Sequence, residues 1–307
     1  MTGAAGFIGS HVTRRIVRDG HTVCAAIRPG ESTDRLTDVL SRLSVIACDL
    51  RDARAVQGLI SVAQPECTIH LAWYAVPGKY WTAPENLDCV SMSLCLARAL
   101  GAAGCSRLVA AGSCAEYDWD YGYLSEDTTP LKPRTLYGAC KNATREILEA
   151  FCADAGMGFA WARFFYLYGP GEQQARLVRS VIQALQSGGM AECTTGEQIR
   201  DFLHVEDVAS AVWAIAQSNL TGSVNVASGQ PVKIRDIAET LGRILQASSK
   251  LAFGALPTDP QEPPLLVGDV RKLKSQTDWT PRWTLEEGLR QTVAWWRENS
   301  PVGGLLT

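Results

Sequence analysis

At 307 residues the chain can hold one large domain or two interlocked ones, and 46% hydrophobic with 20% charged residues is ordinary for a globular enzyme-sized protein. A formal charge of −3 without a Lys/Arg run gives no basic face for nucleic acid, and no apolar run approaches membrane-spanning length. No signal-like segment opens the chain, and ten scattered cysteines without Cys-x-x-Cys pairs read as reduced thiols of a cytoplasmic protein, with no metal site.

The chain opens on Thr2-Gly-Ala-Ala-Gly-Phe-Ile-Gly-Ser-His-Val12. Gly3, Gly6 and Gly9 are spaced for a tight turn that runs into a helix, where backbone N–H groups can approach a pyrophosphate at the positive helix end. Gly3, Gly6, Phe7, Ile8 and Gly9 form the candidate cradle. Such a turn normally follows a β-strand, yet only Met1 and Thr2 come before it. Residues 10–19 read as a helix with Val12, Ile16 and Val17 on one face, stopped by Gly20. Apolar strands are predicted at 22–27, 45–48, 67–72 and 107–111, and helices at 53–63 and 86–101. This alternation predicts an α/β fold, a doubly wound parallel sheet of Rossmann type with its first strand truncated. Arg28 stands at the end of the second strand position, where an acidic residue would bind a ribose 2′-hydroxyl and an arginine would attract a 2′-phosphate. Arg28 thus favours NADP, with NAD the alternative and a plain solvated arginine the bland reading.

Tyr137-Gly-Ala-Cys-Lys141 starts an apolar-periodic helix to about residue 153, and residues four apart share a face. A lysine ammonium beside a phenol favours the phenolate, bringing tyrosine nearer to acid–base work. Ser113, at the tip of the preceding strand, can hold a substrate hydroxyl or carbonyl against that tyrosine. Further on, 175–186, 207–217 and 234–245 read as helices and 224–227 as a strand. Residues 256–264, with four prolines, read as loop. Thr284-Leu-Glu-Glu287 has capping-box spacing and opens a last helix carrying Trp295 and Trp296, expected to pack on the body.

Taken together, these pieces resemble an extended short-chain dehydrogenase/reductase of the NAD-dependent epimerase/dehydratase family, which acts on nucleotide sugars. The resemblance rests on the opening glycines, Asp49-Leu50, His70-Leu-Ala72, Gly112-Ser-Cys-Ala-Glu-Tyr117 and Tyr137 to Lys141. It continues through Arg163-Phe-Phe-Tyr-Leu-Tyr-Gly-Pro170 and Arg200-Asp-Phe-Leu-His-Val-Glu-Asp-Val208. It implies Tyr137 as general acid/base, Lys141 as its electrostatic partner and ribose ligand, and Ser113 as hydroxyl positioner. Asp49 and Leu50 would line the adenine and Ala72 the nicotinamide side. Arg200 would grip the substrate diphosphate, while Arg176, Leu177 and Val178 would meet the base; Cys114 and Tyr166 would border the sugar. A pair of Arg200 with Asp201 or Glu206 is the structural alternative. The resemblance also implies a Rossmann part, residues 1–165 plus about 203–228, and a smaller interleaved substrate part, about 166–202 and 229–307. It further implies a homodimer through the helices at 86–101 and 137–153.

Departures from the family pattern narrow the reaction. Dehydratases carry an Asp-Glu pair where Cys114 and Ala115 stand, and neither of these can do that proton work. No histidine falls in the substrate loop to pair with Cys114 for epimerisation at C3 and C5, so Cys114 reads as a small buried hydrophobe. Tyr166 replaces a common Asn, and 258–261 lacks a common Arg. The expectation is NADPH-dependent reduction of a nucleotide-linked 4-keto-6-deoxyhexose. An NAD-dependent 4-epimerase is the alternative, and a non-catalytic nucleotide-binding relative the alternative of another class. Relatives place a strand of about half a dozen residues before Thr2. A start assigned too late is the expected explanation, with a substitute strand from elsewhere or a weakened cofactor site as the alternative.

Overall fold

A computed structural model of the chain describes residues 1–299. The glycine turn leads into α1 (Phe7–Arg18), which begins three residues before the predicted start because the turn itself is its first cap. There follow β1 (Val23–Ile27), β2 (Leu43–Ala47), α2 (Ala53–Ala63), β3 (Cys67–His70), α3 (Glu85–Ala102) and β4 (Arg107–Ser113). Then come β5 (Tyr123–Leu124), α4 (Leu136–Asp154), β6 (Gly158–Phe164), β7 (Tyr166–Tyr168), α5 (Leu177–Gln186), β8 (Ala191–Cys193) and β9 (Ile199–His204). The chain continues through α6 (Val205–Gln217), β10 (Gly222–Val226), β11 (Pro231–Lys233), α7 (Ile234–Ile244), β12 (Leu251–Phe253), β13 (Leu265–Gly268), α8 (Arg271–Gln276) and α9 (Leu285–Asn299). No helix among the described residues is long and apolar enough to cross a membrane.

The main sheet is parallel, with β2 beside β1 and the run β3-β4-β6-β10 beyond it. Among the described residues Thr2 alone bridges the two groups, pairing with Ala26 on one side and His70 on the other. Its amide donates to Ile69 O at 3.0 Å and its carbonyl accepts from Leu71 N at 3.2 Å, while Met1 O accepts from Ala26 N at 2.9 Å. The Met1 amino group, its pKa lowered by burial, donates to Cys24 O at 2.7 Å. Two residues thus supply the ladder groups of the sheet centre, and among the described residues no other segment enters that place.

Apolar side chains pack on both faces of this sheet. One core joins Val12, Ile16, Val208, Val212 and Ile215 of α1 and α6 to Val109 and Ala160; the other joins Val56, Leu59, Leu96, Leu100 and Leu148 of α2, α3 and α4 to Leu108 and Phe159. Strands covered on both faces read as apolar runs, which made β4 recognisable. Strand β6 was not predicted: it carries Trp161 and Arg163 inward, and an arginine in such a run disguises a central strand. A second group of strands, β11-β9-β13-β5 with β7 on β9, leads away from the main sheet towards α5, α7 and α9. The predicted capping box is present, with Thr284 Oγ1 accepting from Glu287 N at 3.3 Å and Glu287 accepting from Thr284 N at 3.1 Å. Trp296 packs on the α5/α7/α9 core.

Candidate active site

The opening turn is shaped by absent side chains. Gly3 has φ +67°, and a Cβ there would lie 2.7 Å from Ala72 N, while a Cβ on Gly9 would run into the Gly3 carbonyl. Gly6 N donates to Gly3 O at 3.1 Å, closing the turn. Gly6 caps α1 with no side-chain acceptor, so the first N–H groups of the helix, those of Phe7, Ile8 and Gly9, face outward without an internal partner. A dinucleotide fits this cradle: the space a Cβ would fill is open, and the donors that remain are those an anion needs.

Beside the cradle, Thr2 Oγ1 lies 2.7 Å from His70 Nδ1, and His70 Nε2 lies 2.9 Å from Ser93 Oγ. Ser93 donates to Cys89 O at 2.6 Å, so its oxygen accepts from His70 Nε2 and the ring accepts at Nδ1 from Thr2. Burial holds His70 neutral, its pKa lowered to about 3. The ring fixes the end of β3, from which Ala72 reaches back to Thr2 Oγ1 at 3.4 Å. Asp49, expected to line the adenine, follows β2 with its carboxylate gripped by Arg51, which lowers its pKa to about 2. Leu50 beside it is buried. Arg28 follows β1, exposed, with no side-chain hydrogen bond among the described residues and close enough to favour ionised Asp49.

Ser113, Tyr137 and Lys141 come together at the C-terminal end of β4. Thr135 caps α4 by accepting from Gly138 N at 3.1 Å, which sets Tyr137 in the first turn and Lys141 one turn deeper on the same face. Gly138 allows that approach, since a Cβ there would meet the Ala115 carbonyl. Lys141 is buried; its Nζ donates to Ala111 O at 2.7 Å and lies 3.6 Å from the centre of the Trp73 ring. Desolvation lowers its pKa to about 7, against the field of Glu116. Tyr137 is half-buried, and desolvation raises its pKa, while the nearby Ser113 hydroxyl is the contact favouring its phenolate. Ser113 Oγ accepts from Ala115 N at 3.2 Å, which leaves its proton free to donate to Tyr137 or to a ligand.

Aromatic rings clamp the tyrosine. Tyr80, Trp81 and Trp73 stand edge-on to Tyr137 at 4.8, 5.7 and 6.4 Å, and Trp119 stands 6.0 Å beyond Trp81. The clamp is organised by buried Asn86, which accepts from Trp73 Nε1 at 2.9 Å and donates to Tyr80 O and Ala83 O at 2.7 and 2.8 Å. Trp81 O in turn accepts from Tyr137 N at 3.1 Å. Sequence reasoning passed over Trp73, Tyr80, Trp81, Asn86 and Trp119, although the density of aromatics after β3 was a visible signal.

Beneath Ser113 lies a buried polar floor. Glu116 is fully buried and accepts from Ser113 N at 2.7 Å, Trp161 Nε1 at 2.9 Å and Arg163 Nε at 2.7 Å. Arg163 Nη1 donates to Tyr117 Oη at 3.0 Å, which donates to Asn225 Oδ1 at 2.8 Å. Gly112 is required here, because its Cβ would lie 2.8 Å from Glu116 Oε1 and closer still to Trp161 Nε1.

Towards the second group of strands, Cys114 is buried, its thiol pushed up to about 12 by desolvation. Tyr166, half-buried on β7, faces Arg200, whose guanidinium lies 5.5 Å from the ring centre. Arg200 does not pair with Asp201 or Glu206. Its Nη2 donates to Glu262 Oε1 at 2.7 Å, Gln198 Nε2 donates to Glu262 Oε2 at 2.9 Å, and Arg200 Nε is buried without a partner among the described residues. Asp201 is taken by Ser228, Gly229 and Gly268. Arg176 occupies the N-cap position of α5, with its guanidinium 5.4 Å from the Tyr80 ring, which links it to the tyrosine clamp. Val178 turns into the α5/α7 core, so only its backbone can meet a ligand.

Comparison with known proteins places the chain in a family. The profile of the NAD dependent epimerase/dehydratase family matches residues 1–227. The chain is 29% identical to UDP-glucuronic acid decarboxylase 1 of Xenopus tropicalis, over 97% of this chain and 72% of that protein. It is 26% identical to the dTDP-6-deoxy-L-talose 4-dehydrogenase (NAD(+)) of Aggregatibacter actinomycetemcomitans, over 78% of this chain and 87% of that protein. Among solved structures, MoeE5 in complex with UDP-glucuronic acid and NAD superposes with a TM-score of 0.82 at 31% identity, covering 97% of this chain and 98% of that one. With the family profile matched over residues 1–227 and the length of these proteins shared, the chain belongs to the NAD-dependent epimerase/dehydratase family of nucleotide-sugar enzymes.

Proposed function

We propose that the chain reduces a nucleotide-linked 4-keto-6-deoxyhexose at C4, with NADPH as reductant. The carrying observation is the complete Ser113–Tyr137–Lys141 constellation beside Cys114 and Ala115, side chains that offer no carboxylate for dehydration. The dinucleotide, held by the N–H groups of Phe7, Ile8 and Gly9, would supply hydride. Ser113 donates a hydrogen bond to the substrate carbonyl, Tyr137 delivers the proton to the C4 oxygen, and Lys141 stabilises the phenolate left behind. Tyr80, Trp81 and Trp119 present aromatic walls near Tyr137 that suit a methyl group at C6 better than a carboxylate. The dTDP-6-deoxy-L-talose 4-dehydrogenase relative handles the same carbon of a 6-deoxy sugar, by its name. Unpaired Arg28 supports NADPH; the dimer of this reading forms through α3 and α4, which leave Leu87 and Ile147 exposed.

A second reading, an NAD-dependent 4-epimerase, draws support from Asp49, whose ionised carboxylate near Arg28 opposes a 2′-phosphate. One experiment separates them. Purified protein is offered dTDP-, CDP-, GDP- and UDP-linked 4-keto-6-deoxysugars with NADPH or NADH, and UDP- and dTDP-hexoses without added reductant. Oxidation of NADPH on a ketosugar supports the reductase. C4 epimerisation without net cofactor consumption replaces it, and binding without any turnover points to a non-catalytic relative.

A further inference from the structure

The floor under Ser113 contains an ion pair that the chemistry above does not use directly. Glu116 is the third residue of the single 3-10 turn Cys114–Glu116 that ends β4, and its side chain folds back under the strand tip. All its hydrogen bonds are short and internal: Ser113 N at 2.7 Å, Trp161 Nε1 at 2.9 and 3.0 Å to its two oxygens, and Arg163 Nε at 2.7 Å. A buried ion pair adds little net stability over apolar side chains of the same shape, so stability alone is a poor reason to place one here. Its location is more informative. One oxygen holds the amide of the residue whose hydroxyl must meet the substrate, and the same carboxylate faces the ammonium one α4 turn below Tyr137.

We infer that Glu116 is a positioning residue of the reaction proposed above, on which this inference rests: its carboxylate fixes the height of Ser113 and supplies the negative charge facing Lys141 and Tyr137. The two effects act on different atoms. The Ser113 N–H bond, with Ala115 N on Ser113 Oγ, pins both ends of the serine and leaves only the hydroxyl proton to turn. The charge opposes loss of the proton from Lys141 and from Tyr137, since Glu116 raises the pKa of both. Among the described residues, the other groups around this pair leave Glu116 as the one anion facing it, Tyr80 being a phenol whose pKa burial raises. His70 on β3 is neutral, Cys89 on α3 and Cys114 carry thiols whose pKa is raised by burial, Trp73 offers only a ring face, and Arg163 on β6 is a cation.

Glu116→Gln removes the charge and keeps the shape; Glu116→Asp keeps the charge and withdraws it from Ser113 by one methylene. Three measurements decide: NADPH affinity, kcat and KM on the ketosugar, and the titration of Lys141 in the cofactor-bound protein, read by NMR of isotope-labelled lysine and assigned with Lys141→Met. In Glu116→Gln, Lys141 is expected to lose its proton at lower pH, the alkaline limb of kcat to move down with it, and NADPH affinity to stay within about twofold. In Glu116→Asp the titration is expected to stay put while kcat falls by about tenfold or more at unchanged KM. A Glu116→Gln protein with an unmoved Lys141 titration and wild-type kcat overturns the inference. If Glu116→Gln does not fold, Glu116→Asp decides alone, wild-type kcat in it being the overturning result. If the parent turns over no nucleotide sugar, the reaction reading fails, while the Lys141 titration still tests the charge that Glu116 supplies.

Discussion

The proposed cofactor cradle and the polar floor under Ser113 lie at the same edge of one sheet, yet they are built by opposite means. In the cradle the working groups are backbone N–H donors, and side chains are excluded: Gly3 and Gly9 have no room for a Cβ. In the floor, apart from the Ser113 amide, the working groups are side chains, and the arrangement depends on long-range partners, with Glu116 meeting Trp161 and Arg163 across 45 and 47 residues of sequence. A backbone site tolerates no added atoms but carries no tunable charge. A side-chain site can be retuned one group at a time. The difference predicts that damage to the cradle is read in affinity and damage to the floor in proton chemistry.

The largest effect is expected from Tyr137→Phe, which keeps the ring inside its aromatic clamp and removes the proposed acid. Turnover should fall by about a thousandfold or more, with NADPH affinity, measured by titration calorimetry, nearly unchanged. Gly9→Ala reverses the pattern: its Cβ enters the Gly3 carbonyl, and cofactor affinity should drop by at least about tenfold. The Lys141 titration would stay in place. A shift of that titration in Gly9→Ala would break the separation of the two regions. A third test uses stability. Lys141 is held at about 7 in the folded chain against 10.5 for a free lysine. Between those values the unfolded chain binds the extra proton, so this group's contribution to stability rises with pH across that window and is flat below it. Lys141→Met should therefore stabilise the cofactor-free protein clearly at about pH 6 and much less at about pH 9, as measured by urea denaturation. The smallest effect belongs to Arg28→Ala: exposed, it should cost NADPH about three- to tenfold in affinity and leave NADH unaffected. Equal losses for both cofactors would remove Arg28 from the phosphate site.

What could be read from the sequence follows the same division. A glycine trio, a Tyr-x-x-x-Lys spacing and alternating apolar runs are local signals, and the structure places those residues in a turn, on one helix face and in a parallel sheet. Arg200 was singled out, but its partner was not, because Glu262 lies in a proline-rich loop where no periodicity reports contact. The resemblance makes Val178 a ligand neighbour, while the helical register turns its side chain into the core. Asn86 falls within a predicted helix and Glu116 within a matching motif, but the role of each stays hidden for a common reason: each is a polar residue whose meaning comes from partners brought near only by folding. Strand β6 was hidden by the arginine that completes the floor.

Gly112 carries a consequence for how such a chain can change over generations. The volume that a side chain at position 112 would fill is already taken by the Trp161 indole and the Glu116 carboxylate. Any larger residue at 112 therefore becomes acceptable only after 116 or 161 has shrunk. A smaller uncharged residue at 116 in turn leaves Arg163 without its counter-charge. Positions 112, 116, 161 and 163 form an epistatic block, and among related sequences they should vary as a set or not at all.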